Sequence, residues 1–142
     1  MSLDLETART MIAATRAAGR ELGLRPLTVV VLDSGGHLIA AEREDGASLG
    51  RFAIAHGKAH GALALGLGSR ALLARAEQQP FFIAAAGAAL GGALVPVPGG
   101  VLIRDDQSRL LGGIGVSGDS SDNDERVALA GIDAVHLVAE TG

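Results

Sequence analysis

The sequence has no cysteine, no tryptophan and no tyrosine, and only three phenylalanines among its 142 residues. Each absence removes a class of chemistry. Without Cys there is no disulfide framework, thiol nucleophile, iron–sulfur cluster, Cys-ligated haem or zinc finger. Without Trp or Tyr there is no aromatic platform on which single-stranded nucleic acid could stack. Positive charge is scarce as well. Twelve Lys and Arg against 16 Asp and Glu leave a net charge of −4, which opposes nonspecific binding to nucleic acid or to an anionic membrane. Long apolar runs are also missing. Asp4, Glu6, Arg9, Arg16, Arg20 and Glu21 interrupt any signal-peptide core near the N-terminus. The low-charge stretch 78–103 is broken by Pro80, Pro96, Pro98 and several glycines, which makes it a poor membrane helix. The expectation is a soluble, cytoplasmic protein whose partners include neither nucleic acid nor membrane.

What is present is small and aliphatic. Hydrophobic residues make up 48% of the chain and glycine contributes 21 positions. This length and composition predict one globular domain, residues 1–142, with a core of Ala, Leu, Val and Ile. The glycine content, about twice the usual ~7%, predicts frequent turns or close backbone approach.

Leu5, Ala8, Met11, Ile12, Thr15 and Ala18 recur at helical spacing within 4–22, with Ser2 or Asp4 as cap and Gly23 as stop. The β-branched run 27–32, the turn Asp33-Ser34-Gly35-Gly36 and the run 37–42 predict an antiparallel hairpin. A small-residue helix is expected over 48–67 with Ser48 as cap, and a shorter one over 69–76 capped by Ser69. Segment 80–90 reads ambiguously, because Gly87, Gly91 and Gly92 weaken a helix there. A second hairpin spans 101–104 and 109–116 about the turn Asp105-Asp106-Gln107-Ser108. A helix follows over 122–132, with Ser120 or Ser121 as cap, and the tail either extends it or adds a short strand. Helix, hairpin, helices, hairpin, helix is α+β order, one antiparallel sheet covered by helices.

Several residues could carry chemistry. Gly113-Ile114-Gly115-Val116-Ser117-Gly118 has the spacing of a dinucleotide fingerprint, but it lies inside a hairpin strand rather than between a strand and a helix. Glycine for close strand–helix packing is the plainer reading; strand-end amides at Ser117 and Gly118 facing a ligand is the functional one. His56 and His60 stand i, i+4 on the long helix and can share one face, as metal ligands or as a ligand to haem iron, or as ordinary surface or core histidines. Lys58 lies between them on a different face. Small neighbours allow its burial as a low-pKa base or Schiff-base nucleophile; snorkelling to solvent, or pairing with an acid such as Glu42, Glu44 or Asp45, is the plainer reading. Arg43 could clamp a carboxylate. Asp122, Asp124 and Glu125 could hold a hard cation, or simply favour a helix N-terminus.

The ordered segments LDSGGHLIAAEREDGA, GKAHGAL, VPVPGGVLI and LLGGIGVSGDSSDNDERVALAG resemble the GlcG/HbpS-like haem-binding family, to which the C-terminal domain of PduO-type proteins is related. The resemblance spans about 27–131. Asp33, Gly35 and Gly36 match its first turn, and Arg43, Asp45, Gly46 and Ala47 its R-x-D-G-A loop. Lys58 and Ala59 match its helix signature and Gly99 and Gly100 its P-G-G element. Gly113, Gly115, Val116, Ser117, Gly118 and Asp124 match its terminal signature. Gly61 stands where the family usually has Thr, so His56 and His60 are not carried over from it. The resemblance implies a profilin-like α/β sandwich with an antiparallel sheet of about five strands, assembly from dimers up to octamers, and haem or another small molecule as ligand. In a binding role His60 or His56 would hold iron, Arg43 or Lys58 would pair the propionates, and Asp45, Gly99, Gly100, Ser117 and Gly118 would lie near the ligand. In an enzymatic role on a small carboxylate, as a lyase, hydratase or isomerase, Lys58 would be the base and Arg43 the clamp, with an oxyanion site at Ser117-Gly118 or Gly99-Gly100. A third possibility is an accessory role through the small-residue helix packing on a symmetry mate.

Overall fold

Residues 2–142 are described by a computed structural model. In chain order the elements are α1 (Leu5–Glu21), β1 (Thr28–Asp33), β2 (Leu38–Arg43), α2 (Arg51–Leu65), α3 (Ser69–Gln78), α4 (Pro80–Ala89), β3 (Gly100–Arg104), β4 (Leu110–Ser117), α5 (Ser121–Ala134) and β5 (Val138–Glu140). The strands form one antiparallel sheet in the order β2-β1-β4-β3-β5. Both expected hairpins are present, and the second carries the sheet centre. The tail does not extend α5; it turns back as β5 on the β3 edge.

The two faces of the sheet are packed differently. Val29, Val31, Val101, Ile103, Ile114 and Val116 meet Ala8, Met11 and Ile12 of α1 and Val127, Ala128 and Ile132 of α5 in the larger core. On the other face Val30 and Leu32 meet Ala55 and Ala59 of α2. The alternation in β4 explains the asymmetry. Ile114 and Val116 point one way, while Gly113, Gly115 and Ser117 give α2 almost nothing to climb over. A Cβ at Gly115 would run into the carbonyl oxygen of Ala55. The GxGxxG pattern is thus a helix-docking surface within a strand, and the dinucleotide context is absent.

Several helix limits differ from those read in the sequence. Helix α2 begins at Arg51, not at Ser48, with Gly50 at its N-cap position and no side-chain cap, because the Ser48 carbonyl closes a turn by accepting the Arg51 N–H at 3.1 Å. Ser69 does not cap α3, whose N-cap is Gly68. Its hydroxyl is buried and exchanges hydrogen bonds with the Gly100 N–H (2.7 Å) and carbonyl (3.2 Å), tying α3 to the start of β3. The ambiguous segment 80–90 is helical, with Pro80 at its first turn. Of α4 only Ile83 is buried, and Phe81 is 91% exposed.

Candidate functional site

Helix α2 carries three of the sequence-predicted residues, His56, Lys58 and His60, and its two sides separate them. Towards the sheet, Lys58 is 2% exposed. Its Nζ donates to the Val116 carbonyl at 2.9 Å and to Asp124 Oδ2 at 3.1 Å. The other Asp124 oxygen accepts the Asp119 N–H at 3.0 Å. Lys58 therefore joins α2, the end of β4 and the first turn of α5. Gly99 leaves the space for it, since a Cβ there would lie 2.8 Å from Nζ. Burial pushes the Lys58 ammonium below its ordinary range; Asp124 works against that shift, and nearby Arg51 adds to it.

Four expectations are corrected here. Lys58 does not pair with Glu42, Glu44 or Asp45: Arg16 bridges Glu42 and Glu44, and Asp124 takes the lysine. The acids of α5 do not gather around a cation, because Asp124 is held by Lys58 while Asp122 and Glu125 both pair with Arg70. Among the described residues no cluster of three or more His, Asp or Glu could hold a metal ion. Within one chain Lys58, Arg43 and the Ser117-Gly118 amides share no cavity. Lys58 is sealed, Arg43 is exposed on edge strand β2 without an ion pair among the described residues, and Asp45 is exposed in the loop beyond it. The small residues of α2 are likewise spent inside the chain: Ala55, Ala59 and Ala62 are buried, so a symmetry mate could meet only the outer stripe.

The outer side of α2 carries a row of rings. Phe52 stacks on His56 with centroids 6.0 Å apart, and His56 on His60 at 5.4 Å. His60 Nδ1 lies 3.0 Å from the Ala93 carbonyl. A carbonyl only accepts, so Nδ1 carries a proton, and in the neutral ring Nε2 then keeps its lone pair. This contact depends on glycine. The segment after α4 lies along α2 because Gly57 and Gly61 have no side chain; a Cβ would come 2.7 Å from Val95 Cγ2 at Gly57 and 2.5 Å from Leu94 Cδ1 at Gly61. The Val95 N–H donates to the Gly57 carbonyl at 3.1 Å and fixes the register. Gly61, the departure from the family pattern, is thus the residue that lets Ala93 reach the His60 ring.

His60 also lines an open cavity of about 190 Å³ with Ser34, Gly35, Gly36, Leu63, Ala64 and Leu90. Gly36 adopts φ +83°, and a side chain there would press on the His60 ring. Asp33 shapes this turn by accepting the Gly35 and His37 N–H groups, each at 2.9 Å, and those bonds hold its carboxyl below its ordinary range. The match of Asp33, Gly35 and Gly36 to the family turn thus gains a physical role as one wall of the His60 cavity. His56 titrates below the usual 6.5, chiefly through burial and secondly through His60.

A five-stranded antiparallel sheet with α1 and α5 on one face and a glycine-seated α2 on the other, flanked by α3 and α4, defines a mixed α/β sandwich with an imidazole-bearing outer helix. Solved structures share it. The PduOC–haem complex is 25% identical, covering 97% of this chain and 98% of that chain, with a TM-score of 0.86. HbpS of Streptomyces reticuli, as a double mutant, is 28% identical over 94% of this chain and 86% of that chain, with a TM-score of 0.79. The ORFY protein of Klebsiella pneumoniae shares the fold at 24% identity over 94% of this chain and 90% of that chain, with a TM-score of 0.81. No curated protein matches the sequence. The profile of the HbpS-like haem-degrading proteins matches residues 3–133, and the chain belongs to that family.

Proposed function

We propose that the chain binds haem through the outer face of α2, with His60 as iron ligand and with Phe52 and His56 beside the macrocycle. The observation that carries this reading is the His60 ring, pinned at Nδ1 by the Ala93 carbonyl with its Nε2 lone pair left for a ligand. Iron-ligating histidines need this tautomer, and a partner on the second nitrogen fixes ring orientation and raises basicity. Burial, and secondly His60, shift His56 towards its neutral, ligating form, so it is the alternative ligand. The family's description and the haem complex of the 25%-identical relative support the same class of ligand. When bound, haem would supply an iron centre open to ligand exchange and electron transfer; the protein's part is to orient the imidazole and shield one face with apolar side chains.

The cavity of about 190 Å³ is smaller than the ~300–1,000 Å³ usual for pockets that enclose a ligand. Haem would therefore be only partly covered by one chain, and we propose that the working form is a homo-oligomer. Exposed Leu49, Phe52, Phe81 and Phe82 support that reading, as apolar surface that a second copy could cover. Haemin titration followed by the Soret band tests the assignment. The wild type should show a saturable shift. His60→Ala should weaken it most, His56→Ala less, and the double variant should abolish it. No shift in the wild type, or an unchanged shift in the double variant, would overturn the proposal.

A further inference from the structure

The geometry points to a second binding site, for a small carboxylate, in the cavity where α2 begins, with Arg51 as its anchor. An open cavity of about 180 Å³ lies there, and Arg25, Ser48, Arg51 and Gly118 are among its lining residues. Arg51 is half-buried, and its Nη1 donates to Ser117 Oγ at 3.0 Å. The Nε–Nη2 edge of the guanidinium makes no hydrogen bond, and no carboxylate lies within ion-pairing distance among the described residues.

Two neighbouring charged pairs form without it. Lys58 is matched by Asp124 and Arg25 by Asp119, whose hydrogen bonds with Asn123, Ser120 and Arg25 keep it ionised. The Arg51 guanidinium has no such partner among the described residues; it stands beside a cavity, partly withdrawn from water, which is costly unless a partner arrives. The neutral groups nearby are also unsatisfied. Helix α2 has no side-chain cap, and the Phe52 and Ala53 N–H groups have no protein acceptor. The Thr28 hydroxyl, in cross-strand register with Ser117 and so on the same sheet face, is buried with no partner.

The chemistry favours a carboxylate. The open Nε–Nη2 edge is the fork that binds two coplanar oxygens, and a single uncompensated charge matches a single carboxylate. The cavity limits the acid to a small one. Glycine keeps it open: a side chain at Gly118 would strike the Pro26 carbonyl, and Gly46 adopts φ +88°. The site does not depend on haem binding. Arg51 precedes His60 by nine positions, roughly 13 Å along the helix axis, and faces the sheet rather than the outer stripe.

Calorimetric titration with acetate and lactate, and with inorganic phosphate at matched ionic strength, tests the site. The wild type should give a saturable carboxylate heat. Arg51→Gln should lose it, and Arg51→Lys, which keeps the charge but not the fork, should weaken it about tenfold. Thermal melts of both variants report folding separately, and Arg51→Lys carries the test if Arg51→Gln melts early. No saturable carboxylate heat, heat retained in Arg51→Gln, or phosphate bound more tightly than either acid would overturn the proposal. Haemin titration of Arg51→Gln separates a free acid from a haem propionate. An unchanged Soret titration supports the separate site; loss of haemin affinity with no acetate or lactate heat in the wild type would assign Arg51 to a propionate and overturn it.

Discussion

The two sides of α2 solve opposite problems with the same kind of residue. Towards the sheet, missing side chains on β3 and β4 let the helix settle until Lys58 is enclosed, and the buried ammonium is then matched by Asp124, the Val116 carbonyl and little else. Towards the outside, missing side chains on α2 itself let the 93–95 segment settle on the helix, and the result is an imidazole held at one nitrogen and open at the other. Glycine closes one site and opens the other. A charge sealed at both ends locks three elements together; a ring tethered at one end is prepared for a partner.

Breaking the sealed side should cost most. Asp124→Ala leaves an uncompensated buried lysine and should destabilise the protein by about 3–5 kcal/mol in urea unfolding. The pair Lys58→Met with Asp124→Leu should recover most of that loss, because two apolar groups need no mutual compensation. A single-variant cost below about 1 kcal/mol would mean that the pair does not lock α2 to α5.

The open side should break more gently and more selectively. Gly61→Val places atoms against Leu94 and should cost about 1–3 kcal/mol as overpacking. It should also lower haemin affinity although no histidine is touched, since Ala93 would lose its hold on His60. Unchanged haemin affinity in a folded Gly61→Val protein would show that the tether is dispensable.

The smallest effects are in pH. Asp119 has a folded pKa well below its ordinary 3.8, so its stabilising contribution is present above that value and fades as pH falls through it. Asp119→Asn should therefore flatten the acid limb of the stability curve. His56 is also depressed, below 6.5, so the unfolded chain takes up its proton first and acidification through that region should cost stability. His56→Gln should remove that slope, and NMR titration of the ring should place its midpoint below 6.5.

Much of this frame was legible in the sequence. Both hairpins announced themselves through β-branched runs bounded by turn residues, and the His56–His60 pair followed from helical spacing alone. Helix α4 read ambiguously because Gly87, Gly91 and Gly92 weaken it and because its apolar residues are mostly exposed, so no periodicity marked a buried face. Strand β5 spans three residues, too few for a pattern, and exists because β3 offers an edge. The partners in the sites were harder still. Lys58 and Asp124 are 66 residues apart, and the nearer acids Glu42 and Glu44 were plausible until Arg16 is seen to hold them. Asp124 and Lys58 did both fall on family landmarks, which was the available hint that they belong together. The Ala93 carbonyl is backbone, which no residue type reports, and nothing in the sequence marks Arg51, whose interest lies in a carboxylate it does not have.

Lys58 is the sole lysine of the chain, and it is 2% exposed. The folded protein therefore offers acylating reagents no side-chain amine, and trypsin finds its lysine bond inside a packed helix. Amine-directed tags or surface coupling would stop at the α-amino group as long as the fold holds. Any label found on Lys58 then records an opening of the α2–α5 seam, so the chain carries a built-in chemical clock for its own unfolding.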